Sequence, residues 1–103
     1  MKIQNVIDAK GDSRVFSIPT TYTLTEFVKE ACERKIGALL VTDEQGKMAG
    51  ILSERDVIRQ CYAGADFDAV RVDDVMTKDL ITVSPRHDIH DAMDTMVQKR
   101  IRH

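Results

Sequence analysis

Ser53 and Asp56 stand three residues apart in GILSERDVIRQ, residues 50–60. That spacing serves two chemistries. As a capping box, Ser53 opens a helix and Asp56 reaches back to it, an arrangement that contributes about 1 kcal/mol and needs no ligand. As a grip on a sugar phosphate, the free N–H groups and the positive dipole end of a helix start favour an anion. A carboxylate one turn further in can accept from both hydroxyls of a ribose. Gly50 leaves room for close backbone approach, Ile51 can wall an adenine, and Arg55 stands between the two polar residues. Spacing alone favours the cap, because caps are frequent. The two readings are compatible, since a cap holds the helix start that would receive the phosphate.

Other constellations are weaker. His87, Asp88, His90 and Asp91 form HDIHD, and a spacing of three could set two imidazoles on one side of a helix for a metal. No third ligand is evident and Asp88 already serves as a cap, so no metal is assigned. Neither Cys32 nor Cys61 lies in an activating motif, no C-x-x-C is present, and Ser53 has no base that the sequence reveals. No catalytic set can be assembled, and no enzyme activity is expected. Both cysteines fall on helical patterns beside apolar residues and are expected as buried free thiols. Met48, Met76, Met93 and Met96 are expected as core filler.

Composition narrows the classes further. The chain has 103 residues, 43% of them hydrophobic, enough for one small domain or two very small modules. Lys and Arg number 15 against 17 Asp and Glu, a net charge of −2. Nucleic-acid binders usually carry a basic excess, and with 5% aromatics and no Trp, single-strand stacking is also unsupported. Apolar runs are short, so no membrane partner is expected. The opening MKIQNVIDAKGD lacks an apolar signal core, which makes a cytoplasmic location the default.

Elements must position these residues. Leu24, Phe27, Val28, Ala31 and Cys32 form one apolar stripe, which predicts a helix over 24–35. Thr23 caps it with Glu26 closing a box, and Gly37 is the expected stop. Strands are predicted at 38–42 and 47–52, joined by a turn at 43–46 with Gly46 free to take positive φ. A second helix runs from Ser53 to about Tyr62, ended by Gly64. Ile89, Ala92, Met93, Met96 and Val97 then repeat the first stripe at an offset of 65, with Asp88 as cap. At that offset VFSIPTTYTL matches LITVSPRHDI, and His103 meets Ala38. The apolar pairs Val6–Ile7 and Val75–Met76 precede the copies. The unit is strand, helix, strand, hairpin turn, strand, helix, and the strand–helix–strand passage favours a parallel pair. The second copy stops as its middle strand should begin. This predicts a fragment of a longer chain, or strands supplied by another chain.

The stretches IGALLVTDEQGKMAGILSERDVIR and VMTKDLITVSPRHDIHDAMDTMVQKRIRH together resemble the CBS-domain family, whose modules occur as tandem Bateman pairs. The resemblance implies an α/β (α+β) fold of βαββα units with small mixed three-stranded sheets, the second unit incomplete. The expected divisions are 1–64 for the first motif with its N-terminal segment, 65–79 for a linker and 80–103 for the first half of the second motif. It implies a regulatory module that senses an adenosine ligand such as AMP, ADP, ATP or NADH between the copies, with no obligatory cofactor. The alternative is a ligand-free structural or dimerisation module, and a homodimer is expected. In the family, positions matching Ser53 and Asp56 contact phosphate and ribose. By position, the facing residues are Leu80, Ile81 and Thr82, then Ile101, Arg102 and His103. Arg102 and His103 would bring positive charge to the phosphates, or else form a solvated helix end. The other cleft would use Phe16, Ser17, Ile36, Gly37 and Ala38, with its S-x-x-D half outside this chain.

Overall fold

A computed structural model describes residues 1–11 and 14–103. They form two compact units, one of residues 16–80 and one of residues 1–15 with 81–103.

In the 16–80 unit, Ser17–Pro19 is β1, Leu24–Arg34 is α2, Ala38–Thr42 is β2, Met48–Ser53 is β3 and Glu54–Tyr62 is α3. The strands make one mixed sheet in the order β1-β2-β3. β1 runs parallel to β2, with Ile18 opposite Val41, and β2 runs antiparallel to β3, with Leu40 opposite Ile51. This is the α+β unit expected, with β3 arriving one residue later than the sequence suggested. The hairpin is shaped by Asp43, whose carboxylate accepts from the N–H groups of Gln45 and Lys47 at 2.9 and 3.0 Å. Gly46 takes φ 77° there, a conformation that β-carbons resist.

Period-2 alternation sends Ile18, Leu39, Val41 and Leu52 to one face, where they are buried with Leu24 and Phe27 of α2. Each such side chain contributes about 1.5–3 kcal/mol by leaving water. Thr23 caps α2 as expected: the Glu26 N–H donates to Thr23 Oγ1 at 3.2 Å, and the Thr23 N–H donates to Glu26 Oε1 at 3.1 Å. The stop is not Gly37. The helix ends two residues earlier, where Lys35 turns left-handed at φ 57°. The N–H groups of Lys35 and Ile36 then satisfy the carbonyls of Cys32 and Ala31, which offsets the steric cost at a lysine.

Two further expectations fail on burial. Cys32 and Cys61 are both exposed. Cys32 sits beyond the sheet-facing part of its stripe, and α3 has no fully buried residue to shelter Cys61. Among the methionines Met76 is buried, whereas Met48, the first residue of β3, and Met93 of α4 are exposed.

After α3 the chain returns to α2. The Leu24 and Thr25 N–H groups, left unpaired by the start of the helix, donate to Val70 O and Phe67 O. Thr25 Oγ1 also donates to Asp68 at 2.6 Å. A 3-10 turn at Val72–Asp74 follows, with Val72 fully buried.

In the other unit, Ile3–Lys10 is α1 and Ile89–Lys99 is α4. α4 repeats the C-terminal bonds of α2 at the offset of 65, while its cap differs: Asp88 accepts from the His90 N–H and no box is closed. Arg100 is left-handed at φ 56°, and the Arg100 and Ile101 N–H groups donate to Val97 O and Met96 O. The backbone pairing at the helix start repeats as well. Ile89 N–H donates to Met1 O and Ile3 N–H to His87 O, as Leu24 N–H does to Val70 O and Val72 N–H to Tyr22 O. Residues 1–3 therefore serve α4 as residues 70–72 serve α2. One matched element is missing: residues 81–84, aligned with β1, form no strand. β1 exists by pairing with β2, and among the described residues nothing pairs with 81–84.

Candidate functional site

Ser53 ends β3 in an extended conformation and α3 begins at the next residue. The Ser53 N–H and Oγ both donate to Asp56 Oδ2, at 2.9 and 3.1 Å. The other carboxylate oxygen lies 3.8 Å from the exposed Arg59 guanidinium, and the Asp56 side chain is 17% exposed. The capping role is thus filled, with one Asp56 oxygen committed and the other facing outward towards a displaceable cation. The Glu54 N–H donates to Gly37 O at 2.9 Å. Glu54 and Asp56 give the first turn two negative charges, which suit the dipole and temper its attraction for a phosphate.

Gly50, Ile51, Ser53, Arg55 and Asp56 follow one another along β3 and α3, and with Leu80 they belong to the 16–80 unit. Ile81, Thr82, Ile101, Arg102 and His103 belong to the other. Arg55 is exposed, Leu80 half-buried. Along β3, Ile51 and Ser53 share one face and Gly50 and Leu52 the opposite, buried one. A feature that motif reading missed sits on the outer edge of β3: Ile51 and Thr77 exchange N–H to C=O bonds, each 3.0 Å. The apolar pair Val75–Met76 was the only signal that this stretch is anchored.

Of the second set, Ser17 pairs with Leu40, and Phe16 lies under the Arg34 guanidinium, 4.4 Å from the ring centroid. The bare face of Gly37 looks onto the Glu54 carboxylate. In HDIHD, His87 Nδ1 accepts from the Ser84 N–H at 2.9 Å. Asp88 accepts from the His90 N–H at 2.8 Å, and that bond holds the Asp88 carboxyl below the usual carboxylate range. Arg71, hydrogen-bonded to Asp73 at 2.7 and 3.1 Å, is pushed up. Between α2 and α3 lies an apolar groove of about 540 Å³, lined by Val28, Ala31, Val57 and Ile58 among others, with Lys35 and Glu54 as its charged members. Among the described residues no helix is long and apolar enough to cross a membrane.

The chain is 37% identical over 109 residues to a mitochondrial CBS domain-containing protein of Arabidopsis thaliana, a match covering 98% of this chain and 53% of that one. An uncharacterised 17.7 kDa protein of Acidianus ambivalens is 33% identical over 91 residues, 88% of this chain and 54% of that one. The chain thus spans about half the length of these relatives. Among solved structures, a CBS-domain protein of Agrobacterium tumefaciens superposes with a TM-score of 0.91 at 26% identity, covering 98% of this chain and 75% of that one. A CBS domain protein of Pyrobaculum aerophilum complexed with AMP superposes with a TM-score of 0.86 at 22% identity, covering 99% and 75%. The sequence profile of the CBS domain matches residues 11–62 and again 72–103. Two matches on one chain are what the repeated helix ends require, and the chain belongs to the CBS-domain family.

Proposed function

We propose that this chain is a regulatory module, without catalytic activity, that binds an adenosine ligand such as AMP, ADP, ATP or NADH at Ser53 and Asp56. The observation that carries the reading is the half-site at the β3–α3 junction. Asp56 keeps one oxygen on Ser53 and turns the other to Arg59, a contact that ribose hydroxyls can replace. Ser53 and the helix start receive phosphate, Ile51 walls the adenine, and Arg55 flanks it. Leu80 supplies a further contact within the same unit. Family membership supports this assignment, as does the AMP held by the Pyrobaculum protein. Binding shifts the population of conformers by differential affinity.

The test is a thermal-shift series with AMP, ADP, ATP, NADH and S-adenosylmethionine at millimolar concentration. A ligand at 100 times its Kd stabilises the folded state by about 2.7 kcal/mol, and Asp56→Ala is expected to abolish that shift. No shift with any of the five overturns the reading.

A second reading is favoured by the groove between α2 and α3. Ile58 is 67% exposed and Tyr62 96%, beside apolar walls that water covers poorly. Such a face suits a homodimer. Sedimentation of the wild type and of Ile58→Asp checks it: a dimer that Ile58→Asp dissociates supports the reading, and a wild-type monomer at high concentration removes it.

A further inference from the structure

We infer that Gly50, Met76 and Thr77 form a clamp that positions Ile51, one of the proposed nucleotide contacts, relative to Ser53 and Asp56; the inference rests on the proposed function. The sequence suggests that Gly50 lacks a side chain so that a ligand can approach. The structure gives the space another occupant. A β-carbon on Gly50 would lie 2.5 Å from Met76 Sδ, 2.7 Å from Met76 Cγ and 2.8 Å from the Thr77 carbonyl oxygen. The methionine could swing aside. The carbonyl cannot, because it accepts from the Ile51 N–H at 3.0 Å while the Thr77 N–H donates to Ile51 O at 3.0 Å.

The clamp is anchored from behind. The Met76 N–H donates to Val72 O at 2.9 Å, Val72 is fully buried, and Met76 is almost so. Ile51 is therefore paired on both edges, with Leu40 on one side and Thr77 on the other. Both pairings hold the face that Ile51 shares with Ser53, since a slip of one residue would turn Ile51 into the core. Gly50 and Thr77 are accordingly positioning residues, and neither needs to touch the ligand.

Backbone and side-chain roles separate in two substitutions. Thr77→Val keeps the backbone pair, while Thr77→Pro removes its donor. Calorimetric titration with AMP is expected to give Thr77→Val an affinity within twofold of the wild type. Thr77→Pro and Gly50→Ala are expected to bind at least tenfold more weakly. Amide exchange at Ile51, whose N–H donates to Thr77 O, should be at least tenfold faster in Thr77→Pro, with Phe27 and Val41 still protected. Equal AMP affinity in Thr77→Pro and Thr77→Val, with the core protected, overturns the clamp. So does unchanged Ile51 exchange. If the wild type binds none of the five ligands, the proposed function fails and Ile51 exchange still decides the clamp. If Thr77→Pro loses core protection, Met76→Ala takes its place: faster Ile51 exchange supports the clamp, and unchanged exchange overturns it.

Discussion

α2 and α4 are the same helix in two settings. Their ends match in two respects: both stop at a left-handed basic residue, Lys35 and Arg100, and both have their first N–H group met by a carbonyl from a segment that precedes the other copy. Their packing differs. Leu24 and Phe27 of α2 are 0% and 1% exposed, against a sheet that supplies Ile18, Leu39, Val41 and Leu52. On α4 the equivalents are Ile89, half-buried, and Ala92, followed by Met93 and Val97 at 55% and 78% exposed. The left-handed C-termini are local chemistry, satisfied by bonds within a few residues, and the first N–H groups need only one carbonyl each. A core requires a second layer. The two units show the first without and with the second.

Substitutions can break this comparison, and the largest effect is expected in the core. Phe27→Ala should cost about 3–5 kcal/mol of stability, whereas Met93→Ala, on the exposed face of α4, should stay within about 0.5 kcal/mol. Urea denaturation checks both, and a large loss for Met93→Ala would show that α4 is covered in solution. Next come the caps. Thr23→Ala removes a hydrogen-bonded box and should cost about 1 kcal/mol, while Thr23→Asp should cost little. The matched C-termini should respond alike: Lys35→Gly and Arg100→Gly each relieve a left-handed non-glycine residue, with a gain of about 0.5 kcal/mol after the entropy of glycine is deducted. Thermal melts that move for one and not the other would contradict the equivalence of the two ends.

The smallest effect is one of pH, and it falls on one copy. Asp88 is held below its unfolded value of about 3.9 by the His90 N–H, so its contribution is present above that pH and fades as pH falls through the folded value. Its counterpart Thr23 does not titrate. Asp88→Asn should flatten the acid limb of stability below about pH 4, and Thr23→Asn should leave it unchanged.

Much of the 16–80 unit was legible because its signals are local. The stripe of α2, the Thr23 box, the Asp43 turn and the S-x-x-D junction each lie within a dozen residues, and each stands where its chemistry requires. The errors have a common cause. Gly37 looked like the helix stop because glycine is the usual left-handed residue, yet Lys35 takes that conformation once two carbonyls need donors. The cysteines looked buried because an apolar stripe does not say how far along a helix the neighbouring layer extends. Gly50 looked open to a ligand because nothing in GILSERD shows that Met76 and Thr77 return to lie against it.

By itself, the sequence determined that the segments of α2, α3 and α4 are helices, where they start, that α2 and α4 repeat at an offset of 65, and the family to which the chain belongs, whereas the helix α1 went unread. Periodicity and side-chain capping are set by neighbours in the chain, so they can be read from it. Only the tertiary structure decided that residues 81–84, matched to β1, form no strand. It also decided which atoms occupy the bare face of Gly50, and that Thr77 closes the edge of β3. Strand pairing and close packing join residues far apart in sequence, and the pattern of either partner alone does not contain the other.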